Sequence, residues 1–126
     1  MRVRLYLLAH GRSGDKGNDC NFGVIARRES WYPVLSSLLS VGEVETFLKP
    51  IADGPVQRYE LPNLCALNFL VRNALGGGGS KSLRLDAQGK TYAQALLKMP
   101  VEITDELWDE VKEHWEDDLP EGMTPA

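Results

Sequence analysis

Residues 10–21, HGRSGDKGNDCN, hold three glycines, two aspartates, two asparagines, an arginine and a lysine, and no large apolar side chain. Strand-like segments flank them, VRLYLLA at 3–9 and FGVIA at 22–26. A plain hairpin between two strands needs about two to five residues. Twelve polar, glycine-spaced residues therefore read as a long loop built to hold something polar, with Gly11, Gly14 and Gly17 allowing close backbone approach. The plainer alternative is a solvated loop that satisfies its own backbone through Asx turns.

Working outward, Val3, Leu5, Leu7 and Ala9 alternate with polar or aromatic residues and predict a first strand, and Phe22, Val24 and Ala26 predict a second. Pro33 suits the first turn of a helix through Leu39. Ser40-Val41-Gly42-Glu43 has the form of a capping box, opening a helix with Val44, Phe47, Leu48 and Ile51 on one stripe. Gly54-Pro55 breaks that helix, and VQRYEL at 56–61 reads as a third strand. In PNLCALNFLVRNALGGGGS, Asn63 suits an N-cap and the residues after it are apolar on most faces, which predicts a buried helix over 64–75 closed by Gly76. Asn68 is out of place there, since a buried amide needs partners. Ser82–Leu85 is expected as a fourth strand, 86–89 as a turn, 91–98 as a helix and Val101–Ile103 as a fifth strand. A last helix from Asp105 to about Asp118 carries Leu107, Val111 and Trp115 on one stripe beside Trp108. Setting aside the first strand and the buried helix, the order is β-α-β-β-α-β. This is an α+β, ferredoxin-like split-βαβ sandwich, an antiparallel sheet with helices on one face, plus an extra N-terminal strand and a C-terminal acidic helix.

At 126 residues with 43% hydrophobic content, the chain can bury a real core. No apolar run approaches the roughly 18 residues that a membrane helix requires, and the N-terminal apolar stretch is strand-like rather than a leader, so a cytoplasmic protein is expected. The formal net charge of −4 hides an asymmetry. Residues 1–101 carry 13 Lys/Arg against 8 Asp/Glu, a balance of +5, whereas residues 102–126 carry one lysine against ten acids, a balance of −9. A mildly cationic body suits an anionic ligand, while the acidic whole argues against nucleic acid and membrane surfaces. Residues 1–104 are accordingly expected to form the domain, and 105–126 a C-terminal acidic helix and tail. Packing of Trp108 and Trp115 should hold the last helix more firmly than the charges of Glu110 or Glu113.

Cys20 and Cys65 fit neither a disulfide framework nor a metal spacing, and His10 and His114 stand 104 positions apart, so no metal site is expected. Neither glycine-rich stretch is a phosphate loop. GGGGSKS places Ser80 before Lys81, and RSGDKGN has glycine after Lys16. The dinucleotide fingerprint is missing as well. What remains are backbone amides near cationic side chains, able to hold a phosphate or carboxylate. The candidate ligand-binding residues are Arg12, Ser13, Asp15, Lys16, Asn18 and Asn21 in the first segment, with Gly77, Gly78, Ser80 and Lys81 in the second. Both segments are expected to face one site. Asp15 and Lys16 are candidates for a general acid/base pair; Ser13 with His10 lacks an orienting carboxylate for a triad. Arg58 shares a strand face with Glu60, and an ion pair is its simplest role.

The phrases HGRSGDKGNDCNFGVIAR and RYELPNLCALNFLVRNALGGGGSKSLRLDAQGKTYAQALLKMPVEI together resemble the AtuA-like, acyclic-terpene-utilisation family, specifically its small ferredoxin-fold domain. The resemblance covers about residues 4–104. It departs from the common ARSGDKGN pattern at Gly11 and at Asp19-Cys20-Asn21, and leaves out the acidic helix. In that family the domain follows a large N-terminal domain or stands as a separate short protein, and this chain is similar to the stand-alone form. The resemblance implies an accessory subunit that partners an AtuA-like large subunit in catabolism of acyclic terpenes or related branched acyl-CoA compounds. It implies no resident cofactor, only a CoA-linked substrate, and transfers no catalytic residue. Two other readings stay open: a homo-oligomeric module that binds a small anionic ligand, and an independent small enzyme using Asp15 and Lys16. The apolar segment at 64–75 and the tryptophans of the last helix point to a homo-oligomer.

Overall fold

The computed structural model describes residues 1–16, 19–49, 55–71 and 93–116. Its elements are β1 (Arg2–Arg4), β2 (Ala9–Lys16), β3 (Asp19–Ala26), α1 (Tyr32–Leu38), α2 (Val41–Leu48), β4 (Val56–Leu61), β5 (Ala66–Val71), α3 (93–97), β6 (Pro100–Glu102) and α4 (Asp105–Trp115). Among the described residues β2, β3, β5 and β4 form one antiparallel sheet in that order, and β1 pairs with β6 in a second, with Val3 opposite Val101. This is the expected α+β architecture, with the extra N-terminal strand paired beside the main sheet.

The expected first strand is not continuous. After Arg4 the chain makes a 3-10 turn through Leu5–Leu7 before β2 starts at Ala9. Leu7 and Leu8 are both buried, which one straight strand with one buried face cannot achieve. The turn is tied on both sides, by Leu5 N donating to the Met99 carbonyl at 2.8 Å and Arg27 N donating to the Leu8 carbonyl at 2.9 Å.

The stretch 10–21 also differs from the expected loop. Its two arms are strand, and the β2–β3 ladder runs from Ala9↔Ala26 to Lys16↔Asp19. Glycine and polar residues argue against a strand only where side-chain packing must stabilise it. Here β3 is flanked on its other side by β5, and the ladder supplies the backbone hydrogen bonds that the side chains do not need to replace.

The larger correction concerns 64–75. Residues 66–71 are strand β5, paired with β3 on one side and β4 on the other. A short continuous apolar run suits a central strand as well as a buried helix, and periodicity alone does not separate them. Leu67, Phe69 and Val71 enter the core, while Ala66, Asn68 and Leu70 take the alternate face. Asn63 caps no α-helix; it sits exposed in a 3-10 turn, Pro62–Leu64, after which Cys65 adopts a left-handed conformation (φ 51°) that turns the chain into β5. The expected elements at 82–89 and the closure at Gly76 lie outside the described residues.

Helix ends follow local chemistry. The Ser40 hydroxyl accepts from Glu43 N at 3.2 Å to start α2, and the Thr104 hydroxyl accepts from Leu107 N at 3.1 Å to start α4. Asp105 and Glu106 favour the N-terminal end of the α4 dipole, and Lys112 and His114 lie in its last turn.

The core lies between the helices and one face of the sheet. Phe22 and Phe69 stack across β3–β5 at 5.6 Å between ring centroids, beside Val24, Leu67 and Val56, all buried. On the same face Arg58, opposite Phe69 in the ladder, donates to the Leu39 carbonyl at 3.0 Å, to the Ser36 hydroxyl at 2.6 Å and to the Glu60 carboxylate at 2.9 Å. The expected Arg58–Glu60 pair is present, and the same arginine also ties the sheet to α1. A Cβ placed on Gly11 would touch Ala93 and Leu97 at 3.4 and 3.5 Å, so α3 packs on this face too. Among the described residues the helices therefore cover one face and leave the other open.

Candidate functional site

Because strand side chains alternate, the ladder registers define which residues share the open face. Three rungs cross all four strands: His10–Ile25–Ala66–Leu61, then Arg12–Gly23–Asn68–Tyr59, then Gly14–Asn21–Leu70–Gln57. The middle rung combines a cation, a residue without a side chain, a carboxamide and a phenol. Gly23 leaves a hollow between Arg12 and Asn68.

A concave site of about 420 Å³ occupies this face. Its polar groups are Arg12, Asn21 and Asn68, and its apolar wall is made by Ile25, Ala66 and Leu61, with Leu64 from the turn before β5. None of the described lining residues is acidic. Leu64 is 65% exposed and Leu61 40%, large values for leucines and a sign that the wall is open to solvent. Among the described residues the side chains of Arg12, Asn21 and Asn68 make no hydrogen bond or ion pair. They are available to a ligand.

The electrostatics favour an anion. His10, two residues before Arg12 on β2, has its pKa lowered by burial first and then by Arg27 and Arg12, which disfavours its protonated form. Among the described residues Arg12 is the one charged member of the lining. An arginine presents a planar fork of donors that matches a carboxylate or phosphate.

Of the sequence-derived candidates, Arg12 and Asn21 line this site. Ser13, Asp15 and Lys16 continue β2, in register with Phe22, Cys20 and Asp19. Asn18, Gly77, Gly78, Ser80 and Lys81 fall outside the described residues, as does the expected meeting of the two glycine-rich segments. Sequence reasoning did not assign Asn68, Gly23, Ile25, Leu61 or Leu64 to a site. Asn68 did carry a signal, as an amide inside an apolar run. Assigning it a helix hid its neighbours, because a strand places Asn68 beside Gly23 and Tyr59, not beside residues three and four positions away.

Among the described residues no three His, Cys, Asp or Glu come together as a metal site would need, and no helix is long and apolar enough to cross a membrane. Comparison with known proteins gives one family: the AtuA ferredoxin-like domain matches residues 3–102. No curated protein and no solved structure matches the chain. The family match runs from within β1 through β6 and stops before α4 begins at Asp105. The protein belongs to the AtuA ferredoxin-like domain family.

Proposed function

We propose that the chain is a small accessory subunit or domain that works with an AtuA-like large subunit in the catabolism of acyclic terpenes or related branched acyl-CoA compounds, its open sheet face forming one wall of a shared site. Family membership supports the pathway neighbourhood. The observation that carries the role is the placement of Arg12, Asn21 and Asn68 in an apolar hollow on the face that no helix covers among the described residues. A sheet face needing cover on one side only is free to present its other side to a ligand and a partner. The test is co-expression with an AtuA-like large subunit, followed by size-exclusion chromatography. A stable complex that is lost on Leu61→Asp or Leu64→Asp supports the reading; separate elution of the two unmodified chains at micromolar concentration overturns it.

A second reading, a homo-oligomeric module that binds a small anionic ligand by itself, is favoured by exposed Tyr59, Leu61 and Leu64. Apolar groups gathered at one sheet edge suit contact with a second copy. Light scattering separates the two readings, since this one requires a particle larger than 14.0 kDa from the chain alone.

A further inference from the structure

The open-face site has a chemistry more specific than an anion hole. One end carries the Arg12 guanidinium, the middle is the gap over Gly23 flanked by the Asn21 and Asn68 carboxamides, and the other end is the hydrocarbon wall of Leu61 and Leu64. We propose that this hollow binds a medium-length apolar monocarboxylate, its carboxylate on Arg12 and its hydrocarbon over Gly23 and Ala66 toward Leu61 and Leu64. The inference rests on the reading of the open face as a ligand-binding wall and adds the ligand class.

Charge balance selects a monoanion. Among the described residues the lining holds one permanent cation and no acid, and the pKa of His10 beside Arg12 is lowered by burial and then by Arg27 and Arg12. A phosphate or a dicarboxylate would leave charge unmatched against an apolar wall, at a desolvation cost. The polarity gradient selects the shape of the molecule: the polar groups are Arg12 on β2, Asn21 on β3 and Asn68 in the middle of β5, and the apolar ones are the neighbouring rung Ile25–Ala66–Leu61 and Leu64 in the turn after β4. Crossing from β2 to β4 spans three strand spacings, about 14 Å at ~4.8 Å each. A volume of about 420 Å³ holds roughly fourteen groups the size of a water or a methylene at ~30 Å³ each, room for a chain of the length of octanoate. Asn68 contributes by position: half-buried at the centre of the hollow, its amide hydrogen-bonds a carboxylate oxygen or a polar substituent on the chain.

Gly23 provides the sharpest test. A Cβ built there meets only the Leu67 carbonyl at 3.8 Å and the Asn68 amide oxygen at 3.9 Å, ordinary contact distances. A larger side chain therefore fills the hollow without forcing the backbone. The experiment is a titration of the full, ¹⁵N-labelled chain with octanoate, 1-octanol and octanoyl-CoA, followed by amide and side-chain NH₂ shifts. Octanoate is expected to give saturable shifts at Gly23, Asn21 and Asn68 and to bind at least tenfold more tightly than octanol. Arg12→Met should abolish that difference. Gly23→Leu should abolish octanoate binding with the melting temperature unchanged; if Gly23→Leu does not fold, Leu64→Ser, at an exposed position outside the core, should weaken binding severalfold. Equal binding of octanol and octanoate, binding of octanoyl-CoA without octanoate, shifts confined to the helix-covered face, or no saturable shift at millimolar octanoate would each overturn the proposal. The titration uses this chain alone, so its failure leaves large-subunit pairing standing, and failure of that pairing leaves the titration unaffected.

Discussion

The indole Nε1 of Trp115 donates to the main-chain carbonyl of Leu7 at 3.0 Å, tying the last turn of α4 to the turn that joins β1 to β2 across 108 positions of sequence. The Arg27 guanidinium lies 4.7 Å from the ring centroids of both Tyr6 and Trp115 and donates through Nε to the Tyr6 carbonyl at 2.9 Å. The acidic helix is thus fixed to the body by aromatic packing, a cation–π contact and a buried-end hydrogen bond, with Leu107 and Val111 in the common core.

Trp115→Ala should cost about 2–3 kcal/mol, somewhat less than the ~3–5 of a fully buried tryptophan because this ring is half-buried. Glu113→Lys, on the exposed side, should stay within about 0.5 kcal/mol. Glu110→Lys should fall between them. The sequence placed Glu110 with the dispensable charges, but its carboxylate accepts from Trp31 Nε1 at 3.3 Å. Thermal denaturation of the three variants gives the order, and a Glu113 reversal as harmful as Trp115→Ala would show an electrostatic attachment instead.

Stability should fall as pH drops below neutrality. The His114 Nδ1 accepts from Arg28 Nε at 3.0 Å, and its pKa is lowered by burial first and then by Arg28 and Arg27. His10 is shifted in the same direction. Between the ordinary imidazole value of about 6.5 and the lowered folded value, the unfolded chain binds more protons than the folded one, so stability rises with pH across that window. Melting temperatures from pH 5 to pH 8 should show the slope, and His114→Gln should flatten it. A wild-type curve with no fall below pH 6.5 would count against the assignment.

Phe22 and Phe69, both fully buried, should each cost about 3–5 kcal/mol on truncation to alanine. A double-mutant cycle with the milder Phe→Leu changes should return a coupling of about 0.5–1.5 kcal/mol from the stacked pair. Urea denaturation of the four proteins measures it, and additivity would mean that the rings merely share a cavity.

Arg58→Lys should destabilise by about 1–3 kcal/mol even though the charge is kept, since one ammonium cannot replace a fork that reaches Leu39, Ser36 and Glu60 together. Glu60→Gln should cost no more than about 1 kcal/mol, because the Glu60 side chain is 61% exposed. Chemical denaturation separates these outcomes. Equal losses would make the ion pair, and not the link to α1, the source of stability.

Local chemistry alone determined much of this protein. Ser40 and Thr104 start helices because a hydroxyl one position before the first turn satisfies free amides, and Pro33 opens α1 for the same reason of end geometry. The alternation in 56–61, the stripe Leu107–Val111 and the Arg58–Glu60 pair were legible because each depends on residues within a few positions of one another. Arg12 and Asn21 stood out as candidates by residue type in a polar, glycine-spaced segment. Tertiary structure decided what lies across strands. Residues 66–71 are apolar on both sides, so only pairing with β3 and β4 makes them a strand, and only that pairing places Asn68 beside Gly23 and opposite Tyr59. The polar arms of 10–21 are strand because the neighbouring β5 completes the sheet. The hollow of the open face is a product of register, a long-range property to which each strand contributes one residue in two, and no single segment of the sequence contains it.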